Sequence, residues 1–204
     1  FAAWLEKQGV LPGIKVDLGA KPLAGFPGET ITEGLDGLRE RLVEYYKLGA
    51  RFAKWRAVID IAEGVPSRFG IEANAHALAR YAALCQEQQI VPIVEPEVLM
   101  DGDNTLARCE EVTSEVLHVV FRELYEQGVS LEHMLLKPNM VISGSKCPTQ
   151  APVDEVAEAT LRFELDEASA LRRVNEWGGQ PLPVSATLWQ DGVLHLRLSG
   201  AEAA

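Results

Sequence analysis

The sequence lacks any run of about 18 apolar residues, so no stretch of it reads as a membrane span. Cysteine is scarce. Cys85, Cys109 and Cys147 are the only 3 in 204 residues, widely spaced and without a Cys-x-x-Cys pair. They cannot all pair internally, which favours reduced thiols and a cytoplasmic setting. Positive charge is also in short supply. There are 19 lysines and arginines against 30 acids, a formal net charge of −11. That balance argues against nonspecific binding of nucleic acid, but it leaves room for a local cationic pocket and an anionic small molecule. A signal-peptide layout is missing from the start. Phe1-Ala2-Ala3-Trp4-Leu5-Glu6-Lys7 places an acid and a base within the first turn and reads as the end of a helix whose beginning is missing. Met100-Asp101-Gly102-Asp103-Asn104 lacks the later ligand positions of a calcium loop, so no metal site is expected. What is present is ordinary for a globular chain: 47% hydrophobic and 24% charged residues, enough for a sizeable core.

Taken in order, the pattern alternates strands and helices. Gly13-Ile14-Lys15-Val16-Asp17 predicts a short strand with Lys15 and Asp17 on one face. Lys21 to Ile31, rich in Gly, Pro and Thr, predicts a long loop, a usual place for ligand contact. A helix is expected from about Leu35 to Lys47, with Thr32 as its N-cap, Leu35, Leu38, Leu42 and Tyr45 as its apolar stripe and Gly49 as its end. Phe52-Ala53-Lys54-Trp55-Arg56 is the second strand. Lys54 and Arg56 share a face, which suits either an exposed edge or an anion site gripped by the Arg56 fork. A helix follows from about Ile71 to Gln88, with Cys85 in the core and His76 solvated or hydrogen-bonded.

Ile90 to Glu97 is the third strand. Glu95 and Glu97 share its face, either as solvated acids or as paired carboxylates, one of which holds a proton near neutrality. The next helix is expected from about Thr105 to Glu126, closed by Gly128. Met134 to Asn139 predicts a buried strand that Pro138 stops. Lys137 would then have its stem in an apolar wall and its amine at the rim, a setting that disfavours the ammonium and permits attack on a carbonyl. Alone, Lys137 reads better as a surface lysine just past a strand.

The combination changes that balance. Strand, loop and helix recur about every 40 residues, which implies βαβ units and a parallel sheet. Lys15, Lys54, Glu95 and Lys137 fall at corresponding strand ends. In a (β/α)₈ barrel the carboxyl ends of the strands hold the chemistry.

These residues resemble class I fructose-bisphosphate aldolase, the metal-independent Schiff-base type, across about Gly9 to Arg162. The match lies in Gly13-Ile14-Lys15-Val16-Asp17, Pro22-Leu23-Ala24-Gly25, Gly34-Leu35-Asp36-Gly37-Leu38, Phe52-Ala53-Lys54-Trp55-Arg56, Leu78-Ala79-Arg80-Tyr81-Ala82, Ile93-Val94-Glu95-Pro96-Glu97 and Leu135-Leu136-Lys137-Pro138-Asn139-Met140. The resemblance implies that Lys137 is the Schiff-base lysine and Glu95 the acid/base that handles protons during carbinolamine dehydration. It makes Glu97 a neighbouring glutamate of the same site and Lys54 a lysine that polarises substrate. Arg56 and Lys15 become cations facing a phosphorylated sugar. It implies the glycolytic cleavage of fructose 1,6-bisphosphate, with no cofactor and no metal. It also implies an α/β fold that is a partial (β/α)₈ TIM barrel of about four β/α units, the third to the sixth strands of the family. The family's first-strand aspartate, seventh-strand Ser-Gly phosphate loop, eighth-strand arginine and C-terminal tyrosine fall outside the match. The open sheet edges of such a part favour a homo-oligomer.

Beyond Arg162 the pattern changes. Phe163 to Trp177 predicts an amphipathic helix stopped by Gly178-Gly179. Leu182 to Trp189 and Val193 to Leu198 predict a β-hairpin around Gln190-Asp191-Gly192. This tail resembles a helix–strand–strand segment of the FAD-binding subunit of glycolate oxidase, without a flavin motif. The expected organisation is therefore residues 1–162 as a partial aldolase-type barrel and 163–204 as an appended helix plus hairpin, a chimera or recombined chain. The rival is a noncatalytic fusion scaffold that carries half of the site.

Overall fold

The computed structural model describes residues 2–161, 163–164, 184–190 and 193–198, and the chain divides into two compact units, Phe1–Ala151 and Pro152–Ala204. In the first unit a short helix α1 (Ala2–Lys7) precedes β1 (Gly13–Lys15). Lys21 to Ile31, expected as loop, instead carries two three-residue strands, β2 (Ala20–Pro22) and β3 (Thr30–Thr32), paired antiparallel with Lys21 opposite Ile31. Thr32 is therefore not a helix cap. Its hydroxyl donates to the Arg56 carbonyl at 2.7 Å, and the helix α2 (Leu38–Lys47) starts later, after Gly37. Gly37 holds φ 63°, a left-handed turn that costs glycine little, and it supplies no side-chain cap.

The strand β4 (Phe52–Ile59) leads to the helix α3 (Arg68–Glu87), capped by Ser67, whose hydroxyl accepts from Gly70 N at 3.0 Å. Next come β5 (Val91–Val98) and α4 (Leu106–Glu126), capped by Thr105, and the two-residue strand β6 (Leu135–Leu136). β1, β4, β5 and β6 form one four-stranded sheet in the order β1-β4-β5-β6, and every pairing in it is parallel. Such a sheet needs helical crossovers, which α2, α3 and α4 supply. α3 packs on β4 and β5 and against α4.

Period-2 alternation sorts the two faces of β4. Ala53, Trp55, Ala57 and Ile59 are buried, whereas Phe52, Lys54, Arg56 and Val58 are half-buried. Trp55 stacks on Tyr81 of α3, with ring centroids 5.5 Å apart, and the Tyr81 hydroxyl donates to the Ala53 carbonyl at 2.7 Å. On the other face β1 lies close to the Phe52 ring. A Cβ at Gly13 would meet that ring at 2.1 Å, so any larger residue there must displace the ring. The strand expected over Met134 to Asn139 is shorter than its apolar run and lies at the sheet edge. Leu135 is 56% exposed rather than buried.

In the second unit the helix α5 (Val153–Leu161) is followed by β7 (Phe163–Glu164), β8 (Val184–Gln190) and β9 (Val193–Leu198). These strands form an antiparallel sheet in the order β7-β9-β8. β8 and β9 pair with Gln190 opposite Val193, the arrangement that the Asp-Gly signal predicts. The amphipathic helix expected from Phe163 does not begin there, because Phe163–Glu164 is strand. The rest of that segment, the Gly178-Gly179 stop and the Asp191-Gly192 turn lie outside the described residues. No helix among the described residues is long and apolar enough to cross a membrane, and none of their His, Cys, Asp and Glu side chains form a group of three or more able to hold a metal ion.

Candidate active site

The register of the parallel sheet brings three charged side chains together. Arg56 is the Cα partner of Glu95, so Lys54 sits two residues before it on the same face of β4. Leu136 is the partner of Val94, which places Lys137, the next residue, alongside Glu95. The backbone N–H of Lys137 donates to the Val94 carbonyl at 2.8 Å and carries the pairing one residue past β6. Lys54 Nζ then donates to Glu95 Oε2 at 2.6 Å, and Lys137 Nζ donates to Glu95 Oε1 at 2.6 Å. Glu95 is 3% exposed, while the Lys137 side chain is 56% exposed. A buried carboxylate thus holds two amines at the open face of the sheet.

Burial alone would raise the Glu95 carboxyl. The hydrogen bonds from Lys137 and Lys54, and the charges of both, outweigh it and bring the group below its ordinary value. The expectation that neighbouring glutamates compete for one proton is corrected by this geometry. Glu95 belongs to Lys54 and Lys137, while Glu97 pairs with the Arg56 guanidinium through its own Oε2. The expected apolar wall around Lys137 is corrected as well. Its neighbour Leu135 is exposed, and what holds the amine is a charge-assisted hydrogen bond.

Lys15 lies beside Lys54 in the β1–β4 register, but its ammonium turns to the Asp17 carboxylate. Asp17, 7% exposed, is a hub that strand alternation does not reveal. Its Oδ1 also accepts from Gly19 N at 3.0 Å, and its Oδ2 accepts from Arg56 N at 3.4 Å. All six residues singled out from the sequence fall on four adjacent strands, each cation with an acid, but the expected strand-end positions are corrected: Lys15 ends β1 and Lys137 follows β6, whereas Lys54, Arg56, Glu95 and Glu97 lie within β4 and β5, which run on to Ile59 and Val98.

Buried polar side chains behind the site hold its frame, and the linear pattern gives little sign of them. Asn74 of α3, 2% exposed, donates to the Thr30 carbonyl at 2.8 Å and to the Gly70 carbonyl at 3.0 Å, which ties the β2–β3 hairpin to α3. The Glu29 carboxylate accepts from Ser67 N at 3.0 Å, at the start of α3, where a negative charge is favoured. Asn139, just past Pro138, accepts from Val98 N at 3.1 Å through Oδ1 and donates to Thr113 Oγ1 at 3.3 Å. The signal that could have found Asn139 is Pro96 on β5, which removes a backbone donor from the ladder beside Lys137. The cysteines are free and buried, and burial pushes the Cys85 thiol up to about 12, which leaves it unsuited to nucleophilic work. His76 is surface-exposed and lies 3.0 Å from the Glu123 carboxylate, away from these residues.

The arrangement is suited to amine chemistry on a carbonyl. One carboxylate serves two amines, so neither has a full negative charge to itself. The carboxylate can take a proton from Lys137 and return it to a departing hydroxyl. Arg56 adds a planar fork for an anion.

Known proteins are similar in sequence to this chain. A family model described as fructose-bisphosphate aldolase class-I matches residues 1–168. A probable fructose-bisphosphate aldolase class 1 of Xanthomonas campestris pv. campestris is 65% identical over 161 residues, covering 79% of this chain and 48% of the relative. The fructose-bisphosphate aldolase of Dictyostelium discoideum is 53% identical over 164 residues, covering 79% and 46%. A solved structure of fructose-bisphosphate aldolase from Plasmodium falciparum, in ternary complex with TRAP and a small-molecule inhibitor, superposes with a TM-score of 0.75 at 48% identity, covering 78% of this chain and 46% of that one. The chain spans about half the length of the curated relatives it matches.

Proposed function

Because the chain belongs to the class I fructose-bisphosphate aldolase family, we propose that Lys137 forms a Schiff base with a phosphorylated ketose and that this unit carries the iminium-forming half of aldolase chemistry. The observation that carries the reading is the Lys137–Glu95–Lys54 contact, with both amines 2.6 Å from one buried carboxylate. Lys137 as the free amine attacks the ketone carbon and gives a carbinolamine. Glu95, having taken a proton, returns it to the hydroxyl, which leaves as water and makes the iminium. The iminium draws electrons from the carbon–carbon bond to be broken while a base removes the proton of the adjacent hydroxyl. Glyceraldehyde 3-phosphate leaves, and the remaining enamine, protonated and hydrolysed, gives dihydroxyacetone phosphate. Lys54 stabilises charge on the reacting oxygens. Arg56, with Glu97 as its counter-ion, and Lys15, with Asp17, take the phosphate-bearing end of the substrate.

In the same proposal residues 1–162 are a partial TIM barrel, and 163–204 are an appended segment of separate origin. The antiparallel sheet of β7, β9 and β8, which a (β/α)₈ pattern does not continue, supports that division. The unpaired outer sides of β1 and β6 in their sheet support self-association, which sedimentation equilibrium would measure.

The test is covalent. The chain is incubated with dihydroxyacetone phosphate, reduced with borohydride and digested for mass spectrometry. The expected result is an adduct on Lys137, abolished by Lys137→Met. Labelling that persists in that variant at another lysine would show that the nucleophile is misassigned. An unlabelled parent chain would sink the Schiff-base reading and leave the scaffold reading in place. An adduct without cleavage of fructose 1,6-bisphosphate would mean that only the nucleophilic half of the site operates in this chain.

A further inference from the structure

We propose that Asn139 is a positioning residue for Lys137, its side chain supplying the rung of the sheet that follows the one proline removes. The inference rests on the Schiff-base reading for its kinetic consequence, but not for its geometry. Val91 N donates to the Arg51 carbonyl and Leu99 N to the Ile59 carbonyl, so the odd-numbered N–H groups of β5 face β4. The even-numbered ones face β6, and two of those residues, Pro92 and Pro96, have no N–H to give. On the opposite chain the Lys137 N–H faces β5, so the next donor towards β5 there belongs to residue 139. Past the Lys137 N–H to Val94 carbonyl bond, the ladder therefore has no donor on either chain until Val98 on β5 and Asn139 on its partner.

At that point Asn139 Oδ1 accepts from Val98 N at 3.1 Å, standing where a strand carbonyl would stand in a continued ladder. Its amide nitrogen is held in turn, donating to the Met140 carbonyl at 3.0 Å and to Thr113 Oγ1 at 3.3 Å. Thr113 is itself buried on α4. Lys137 is thus fastened on one side by its own backbone N–H and on the other, two residues on, by a side chain anchored to both β5 and α4. A half-exposed lysine with its neighbouring rungs missing would otherwise swing freely. Two fastenings keep its Nζ at Glu95 while its open face stays accessible. A carbonyl nucleophile misplaced by about 1 Å loses on the order of a hundredfold in rate.

The experiment compares the full chain with Asn139→Leu, which removes acceptor and donor, and with Asn139→Asp, which keeps the acceptor for Val98 N and lets the Thr113 hydroxyl turn and donate. The first readout is the single-turnover rate of borohydride-trapped adduct formation across dihydroxyacetone phosphate concentrations. Asn139→Leu should lower the saturating rate about tenfold or more and leave the half-saturating concentration within about threefold, with Asn139→Asp restoring most of the rate. The second readout is the crystal structure of each variant. In Asn139→Leu the Lys137 Nζ should leave Glu95 Oε1 by more than about 4 Å, beyond hydrogen-bond range. Where Asn139→Leu does not fold, Asn139→Ser, too short to reach Val98 N, carries both readouts. An unchanged saturating rate, or an unchanged Lys137–Glu95 contact, overturns the proposal. If the parent chain forms no adduct, the Schiff-base reading fails, and the contact distance alone still decides the role of Asn139.

Discussion

The two faces of β4 differ in burial and in charge, although they alternate residue by residue along one strand. On one side Ala53, Trp55 and Ala57 are fully buried, Trp55 lies against Tyr81, and no charge intervenes. On the other, Lys54 and Arg56 each meet an acid of β5 and remain partly exposed. A close-packed neutral face can be optimised for burial alone, because its residues have no other task. The charged face holds a nucleophile's helpers in a half-open setting, where each added ion pair contributes little stability. The period of two makes these tasks separable. A substitution on one face should register in unfolding and one on the other in chemistry, and the predictions aim at that separation.

The largest effect is expected on the buried face. Trp55→Ala opens a large cavity between β4 and α3 and should cost about 3–5 kcal/mol in urea unfolding. If the chain that remains folded at low temperature keeps its rate of adduct formation on Lys137, the faces are independent. A rate that falls in proportion to the lost stability would break the comparison. Next comes the charged face. Glu95→Gln leaves a hydrogen-bonding group between the two lysines but removes the proton acceptor. Adduct formation should fall about a hundredfold, with a stability change of about 1–2 kcal/mol, since glutamine keeps a hydrogen-bonding group in the buried position and the two lysines it loses as ion pairs are partly exposed. A loss of stability as large as that of Trp55→Ala, with the rate preserved, would reverse the assignment of tasks.

Much of this division was legible in the sequence, for a physical reason. Alternation within a strand is local, so Phe52-Ala53-Lys54-Trp55-Arg56 declares its two faces without any partner. The same holds for Glu95 and Glu97 as a pair on one side of β5. What was not legible is register, which is set by other strands. The two glutamates read as rivals for one proton, yet the β4–β5 pairing assigns Glu97 to Arg56 and leaves Glu95 to Lys54 and Lys137. Thr32 fits the residue pattern of a helix cap, but its hydroxyl is used by Arg56 of the neighbouring strand. The β2–β3 hairpin was invisible because three-residue strands are too short for alternation to be counted, and its lock, Asn74, lies 42 residues from Thr32. The apolar run before Lys137 suggested a buried wall. It lies instead at the edge of its sheet, where hydrophobicity and burial part company.

The smallest effect concerns acid, and it sharpens the comparison because only the charged face should show it. The Glu95 carboxyl is held below its ordinary value in the folded chain, where the lysine hydrogen bonds outweigh burial. Folding therefore favours the ionised form. The stability this contributes is fully present above the unfolded carboxyl value, about 4.3, and is lost as pH falls through the lower folded value. Urea midpoints for the parent chain and Glu95→Gln, measured from about pH 6 down to about pH 3, should thus converge towards the acid end. The same series on the buried face should show a Trp55→Ala difference with no such convergence, because neither tryptophan nor alanine titrates. A parent-to-Glu95→Gln difference that stays constant, or grows as the pH falls, would mean that the two lysines do not hold the carboxylate in its charged form. The hydrogen bonds from Lys54 and Lys137 would then be steering the side chain without favouring its ionisation.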